Sequence, residues 1–118
     1  MKSFEKLKVW EKSHVLVRSV YSSTNKFPKH ELYGLTSQIR RAAVSVPTNI
    51  VEGRARRSTR DFIRFLMISR GSLEELEYLL LLASELGYLD QKSYNKIDSQ
   101  ANEVSAMLNG LISSLRDA

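Results

Sequence analysis

Apolar residues recur three and four positions apart along almost the whole chain, and that rhythm limits its fold more than any other feature. Such spacing keeps one face of an α-helix apolar, whereas a half-buried strand needs alternation by two. Leu7, Trp10, His14, Val17, Tyr21 and Thr24 mark a first helix from about Lys6 to Asn25. Phe27-Pro28 ends it, because the residue before a proline is pushed out of the α region. A second helix is expected from about Lys29 to Glu52, with Leu32, Leu35, Ile39, Ala42, Val46 and Ile50 along its core row. Pro47 removes a hydrogen bond to the Ala43 carbonyl and crowds it, so a kink or local break is expected there. Gly53 is placed as the C-terminal cap, in the left-handed conformation that glycine takes without strain.

Ser58 and Asp61 have the spacing of an N-terminal capping pair for a third helix that runs to about Leu86. Phe62, Leu66, Ser69, Leu73, Leu76, Leu80 and Ala83 form one face of it, and Phe65, Ile68, Leu79 and Leu82 a second. A helix apolar around so much of its girth is buried on more than one side. Gly87 stops it, and Gly71 inside it implies close approach to a neighbouring helix. Asp90 caps a fourth helix, about Gln91 to Arg116, with Tyr94, Ile97, Ala101, Val104, Leu108, Leu111 and Leu115 facing the core. Five glycines and two prolines in 118 residues are too few turn-formers for a sheet protein. Short connections make antiparallel neighbours the default, so the fold class is all-α, an antiparallel up-down four-helix bundle forming one domain over residues 1–118.

The charge is unevenly placed. Residues 1–39 carry a net +4, residues 40–70 a net +6 and residues 71–118 a net −5. In the middle segment every basic residue is arginine. Arg54, Arg56, Arg57, Arg60 and Arg64 crowd the connection between the second and third helices and are the candidate nucleic-acid-binding residues. Arg56, Arg60 and Arg64, spaced by four, would form one ridge where helical, and like charges at that spacing repel. A guanidinium fork grips phosphate with two hydrogen bonds and stacks on bases, and the start of the third helix adds free N–H groups. A hairpin folding about residue 55 would put residue 40 opposite residue 70, about 20 Å from the turn. Arg40, Arg41 and Arg70 are therefore read as a structural group, paired with carboxylates such as Glu74. The arginine cluster leaves two partners open, RNA or DNA on one side and an acidic protein on the other.

Other chemistry is hard to assemble. His14 and His30 fall in no metal-binding helical pattern, and the chain has no cysteine. No nucleophile has an evident base and no glycine-rich phosphate loop occurs, so neither catalysis, metal nor cofactor is expected. Asn49 is expected to be held by a structural hydrogen bond. No apolar run is long enough to cross a bilayer, and the N-terminus lacks the apolar stretch of a secretory signal, so a cytoplasmic protein is expected. The apolar breadth of the third helix also suggests self-association into a homo-oligomer.

The stretch from Phe27-Pro28-Lys29-His30-Glu31 through Arg40-Arg41-Ala42-Ala43 to Pro47-Thr48-Asn49-Ile50-Val51-Glu52-Gly53 resembles the bacterial four-helix-bundle family named after the 23S ribosomal RNA intervening-sequence protein. Phe4-Glu5-Lys6-Leu7-Lys8-Val9-Trp10, Arg70-Gly71-Ser72-Leu73-Glu74-Glu75-Leu76 and Glu85-Leu86-Gly87-Tyr88-Leu89 extend the resemblance over nearly the whole chain. Val51 stands where members usually carry alanine, a mild change of packing. The family's first members are encoded within insertions in ribosomal RNA genes, and most others have no known role. The chain is also similar to the basic accessory protein of diversity-generating retroelements, a ring-forming bundle that works with a reverse transcriptase. The resemblance thus implies a partner nucleic acid and a homopentamer, and no catalytic residues.

Overall fold

The computed structural model describes all 118 residues and contains four long helices and no strand. They are α1 (Lys8–Thr24), α2 (Leu35–Arg54), α3 (Thr59–Glu85) and α4 (Gln91–Arg116), with single 3-10 turns at Ser3–Lys6 and Lys29–Glu31. Pairs across the helices set their directions. Arg40 on α2 reaches Thr24 at the end of α1, while Arg54 reaches Ser3 before its start. Ser45 meets Ser72, Arg70 meets Asn109, and Lys12 meets Glu103. Each sequential neighbour therefore runs antiparallel to the last, and α4 returns beside α1. One cluster of 23 buried apolar residues draws on all four helices, so none is peripheral.

The core row expected of α3 is buried at every position from Phe62 to Ala83. In α4, Ile97, Ala101, Val104 and Leu108 are buried with Ile112, while Tyr94, Leu111 and Leu115 pack at its edge. The expected α1 row is rotated by about one residue. Val9, Ser13, Leu16, Val20 and Thr24 face the core, while His14 and Tyr21 are exposed. Ser13 conceals this face in the sequence, while Thr24 belongs to it as expected; each hydroxyl donates back to its own helix, to the carbonyls of Trp10 and Val20 at 2.8 Å. A hydroxyl satisfied in that way can enter an apolar core at little cost.

α2 starts later than expected, at Leu35 rather than near Lys29. The carboxylate of Glu31 accepts the Leu35 N–H at 3.1 Å and so caps the helix from the preceding turn. The expected break at Pro47 is absent, and α2 is continuous across it. Side chains brace the carbonyls beside the disturbed turn: Thr48 donates to Val44, Asn49 to Ser45 and Ser69 to Val46. The two remaining glycine expectations are corrected. Gly53 is a buried helical residue and not a left-handed cap; a Cβ there would lie 2.8 Å from Phe65 Cβ and 2.9 Å from Phe62 Cδ1. It marks the close helix approach that had been assigned to Gly71, around which there is open space. Gly87, at φ +81°, is the left-handed terminator, with Gly87 N–H donating to Ser84 and Tyr88 N–H to Ala83.

Candidate nucleic-acid interface

The α2–α3 hairpin folds about Ser58–Thr59, since Ser45 pairs with Ser72 and Val46 with Ser69. Residue 40 therefore lies nearer the level of Leu76 than of Arg70, and the proposed grouping of Arg40, Arg41 and Arg70 is not formed. None of the three makes an ion pair, with Glu74 or any other carboxylate. Arg40 instead ties α2 to the end of α1, donating to Thr24 Oγ1 at 2.9 Å and Asn25 Oδ1 at 3.1 Å, with its guanidinium 4.7 Å from the Tyr21 ring centroid. Arg70 donates to Asn109 Oδ1 on α4 at 2.9 Å. Neutral oxygens do the work expected of carboxylates, and they leave the charge uncancelled.

The five candidate arginines all lie at one pole of a molecule 45 Å long, and all are exposed. Arg54 ends α2 and donates from Nε to Ser3 Oγ at 3.1 Å. Arg56 and Arg57 sit in the connection, and Arg60 and Arg64 follow one turn apart on α3. Because Arg56 precedes the helix, the ridge is shorter than expected. Arg56 rejoins it in another way: its guanidinium lies 4.7 Å from the Phe65 ring centroid, and that of Arg64 lies 4.9 Å from it. One aromatic ring therefore holds a loop cation and a helix cation in place, each by attraction to its π-face. The sequence signal for this was Phe65 itself, an aromatic one residue past the ridge.

Neutralisation of the pole is sparse. Its one ion pair joins Arg64 to Asp61 at 3.9 Å, between exposed side chains, where such pairs are weak. Arg57 and Arg60 make neither a hydrogen bond nor an ion pair. The start of α3 is less available to an anion than the sequence implied. Ser58 Oγ already accepts the Asp61 N–H at 3.1 Å, and Asp61 places a carboxylate in the first turn. Anion contact at this pole therefore falls to guanidinium groups and not to the helix dipole. The chain ends bring further residues: Lys2 and Lys6 flank Ser3, and Arg116 approaches Met67, with Glu5, Glu52 and Asp117 as the nearby acids. Folding alone supplied all of these but Glu52, because the chain ends lie more than forty residues from the cluster. Beside Arg60 and Arg64, Ile63, Met67 and Ile68 add a partly exposed apolar strip on the same helix.

The fold and this pole define the class: a small all-α bundle with a guanidinium-rich end and core helices that cross no membrane, since none is long and apolar enough to do so. The family model of the 23S rRNA-intervening sequence protein matches residues 5–110, and the chain belongs to that family. It is similar to the crystal structure of a protein of unknown function from the S23 ribosomal protein family of Bacteroides thetaiotaomicron VPI-5482. The two are 28% identical with a TM-score of 0.79, over 88% of this chain and 97% of the other. No curated protein matches the chain.

Proposed function

We propose that this protein is a non-enzymatic, cytoplasmic homo-oligomer that binds the backbone of RNA or DNA through Arg54, Arg56, Arg57, Arg60 and Arg64. One observation carries the reading: five exposed guanidinium groups share a pole on which only Arg64 has a carboxylate partner. A polyphosphate would relieve their repulsion and release its own counterions. Arginines that contact phosphate fix position without reading sequence, so little base preference is expected. The test is fluorescence anisotropy with RNA and DNA across a salt series. Five phosphate contacts correspond to a log–log salt slope of roughly −4 to −5 on duplex DNA. Tight binding that ignores salt would contradict a phosphate-dominated contact.

Self-association is supported by two separate apolar surfaces. Met67, Ile68, Tyr78 and Leu81 are exposed along α3, and Tyr21, Leu32, Tyr33 and Val44 are exposed around the α1–α2 edge. Two unlike faces suit head-to-tail contacts, which close into rings, better than a two-fold dimer built from one face. A homopentamer would present the arginine pole five times and convert weak contacts into strong binding. Light scattering that returned 13.5 kDa at micromolar concentration would remove this part of the reading.

An acidic protein partner is the second reading, favoured by the exposed apolar side chains of Met67 and Ile68 directly beside Arg60 and Arg64. Nuclease treatment before capture of the native partner separates the two, since a protein partner survives it.

A further inference from the structure

A second concave surface lies at the end of the bundle away from the arginine pole. It is a cleft of about 450 Å³ between the last turns of α1 and the first turns of α4, within the usual size range of small-molecule sites. Arg18, Ser19, Ser22 and Ser23 line it with one face of α1, and Lys26 in the turn after α1 extends that wall. Ser93 and Lys96 of α4 form the opposite wall, and the buried Leu89 and Ile97 its floor.

Cations outnumber carboxylates in this cleft, where Asp90 is the only acid and feels the charge of Lys26. Arg18, Lys26 and Lys96 are exposed, and none makes an ion pair or a side-chain hydrogen bond. Lys12, on the same α1–α4 seam, differs: it meets Glu103 at 3.4 Å. The seam thus supplies a carboxylate partner at one level and withholds it at the next. Asp90, the one carboxylate on the cleft wall, is committed to capping α4, where it accepts the Ser93 N–H at 2.7 Å. The hydroxyls of Ser19, Ser22 and Ser23 also find no partner within the protein, unlike those of Ser13 and Thr24 on the same helix.

We infer that the α1–α4 cleft binds a terminal phosphoryl group carried on a hydroxyl-bearing molecule. Arg18, Lys26 and Lys96 would surround the phosphate, and the serine wall would hydrogen-bond the remainder of the ligand. Three cations less the Asp90 carboxylate leave two positive charges, which match a phosphate dianion, and the Arg18 fork supplies the directional contact that two ammonium groups lack. The narrow floor of Leu89 and Ile97 provides apolar contact for a ring or carbon chain. The site is independent of the arginine pole and does not rest on the function proposed for it.

The phosphoryl group could belong to a free phosphate ester or to the 5′ end of a nucleic-acid strand, and one titration distinguishes them. The full chain, labelled with nitrogen-15, is titrated with pyrophosphate, with adenosine monophosphate, and with a short oligonucleotide bearing or lacking a 5′ phosphate. Saturable amide shifts at Arg18, Ser22, Ser23 and Lys96 are expected, with Kd below about 1 mM. Saturation by the two small anions assigns a free ester; saturation only by the 5′-phosphorylated strand assigns a strand end. Arg18→Gln with Lys96→Gln should weaken binding by at least about tenfold while helical circular dichroism is unchanged. Arg60→Gln with Arg64→Gln, which disables the other pole, should leave these shifts in place. Shifts that climb without saturating to about 10 mM, that chloride reproduces at equal ionic strength, or that survive both cleft substitutions would overturn the inference.

Discussion

The two ends of the bundle solve the same problem, a helix-to-helix turn, in opposite ways. At the end where α1 passes into α2 and α3 into α4, the loops are tied to one another. Tyr88 donates its hydroxyl to Glu31 at 3.1 Å, and Glu31 in turn caps α2. Phe27 packs against the Tyr88 ring at 5.6 Å, and Asp90 caps α4. At the other end, the α2–α3 turn is held by a glycine contact and one aromatic ring, and its charges point outward with little to answer them. The loops of the first end use their polar groups on the fold, although the α1–α4 cleft beside them leaves Arg18, Lys26 and Lys96 unpaired. At the second turn Arg57 and Arg60 meet no partner and only Arg64 meets a carboxylate, the contrast that the proposed nucleic-acid contact requires.

Replacing Arg54, Arg56, Arg57, Arg60 and Arg64 together by glutamine tests that contrast with the largest expected effect. Affinity for nucleic acid at low salt should fall by on the order of a thousandfold, and the salt slope should approach zero. The melting temperature should change little, because relief of repulsion offsets the loss of the Arg54–Ser3 hydrogen bond, two exposed contacts with the Phe65 ring and one exposed ion pair. A large loss of stability in that variant would mean the two ends are built alike after all.

Gly53→Ala attacks the one tightly packed point of the arginine end. The added Cβ meets Phe65 Cβ and Phe62 Cδ1 inside contact distance, so a loss of about 1–3 kcal/mol is expected in chemical denaturation. An unchanged midpoint would show that α2 and α3 can part there freely.

Asp90→Ala examines the tied end, and the expected effect is smaller. Hydrogen bonds from Ser93 hold the Asp90 carboxyl below the ordinary aspartate range. Its contribution is therefore present above the unfolded carboxyl's pKa and is lost as the pH falls through the native one. The variant should melt lower than the parent at neutral pH, and the two should converge in acid. Persistence of the gap at low pH would point to lost packing instead of a lost cap.

Glu77→Gln should have the least effect and the opposite sign. Partial burial, with Asp98 and Glu74 nearby, raises the Glu77 carboxyl above its usual value. Stability linked to it is present below the ordinary glutamate pKa and lost as pH rises through the native one. The amide removes that loss, so the variant should gain slightly at neutral pH and match the parent in acid. It would show that the α3–α4 seam, like the arginine end, carries repulsion that the fold tolerates.

Local chemistry made much of this legible in the sequence. The core row of α3, the caps at Ser58 and Asp90, and the stop at Gly87 each depend on a few neighbouring residues, and all appear as expected. The arginine cluster was equally plain, being contiguous in the chain. What escaped notice depends on distant partners. Ser13 looks too polar for a core until α1 is laid against the bundle on that face. Gly53 looks like a cap until Phe62 and Phe65 arrive from α3, and Arg18, Lys26 and Lys96 are unrelated until α1 meets α4.

The sequence by itself determined four helices, their order and the arginine-rich turn, because periodicity, capping and charge density act over one or two turns of chain. Only the tertiary structure decided which face of α1 is buried, where the α2–α3 hairpin folds, and which cations keep carboxylate partners. Those outcomes depend on the axial register of helices packed against one another. A shift of one turn in that register moves a side chain by about 5.4 Å, enough to make or lose every cross-helix contact.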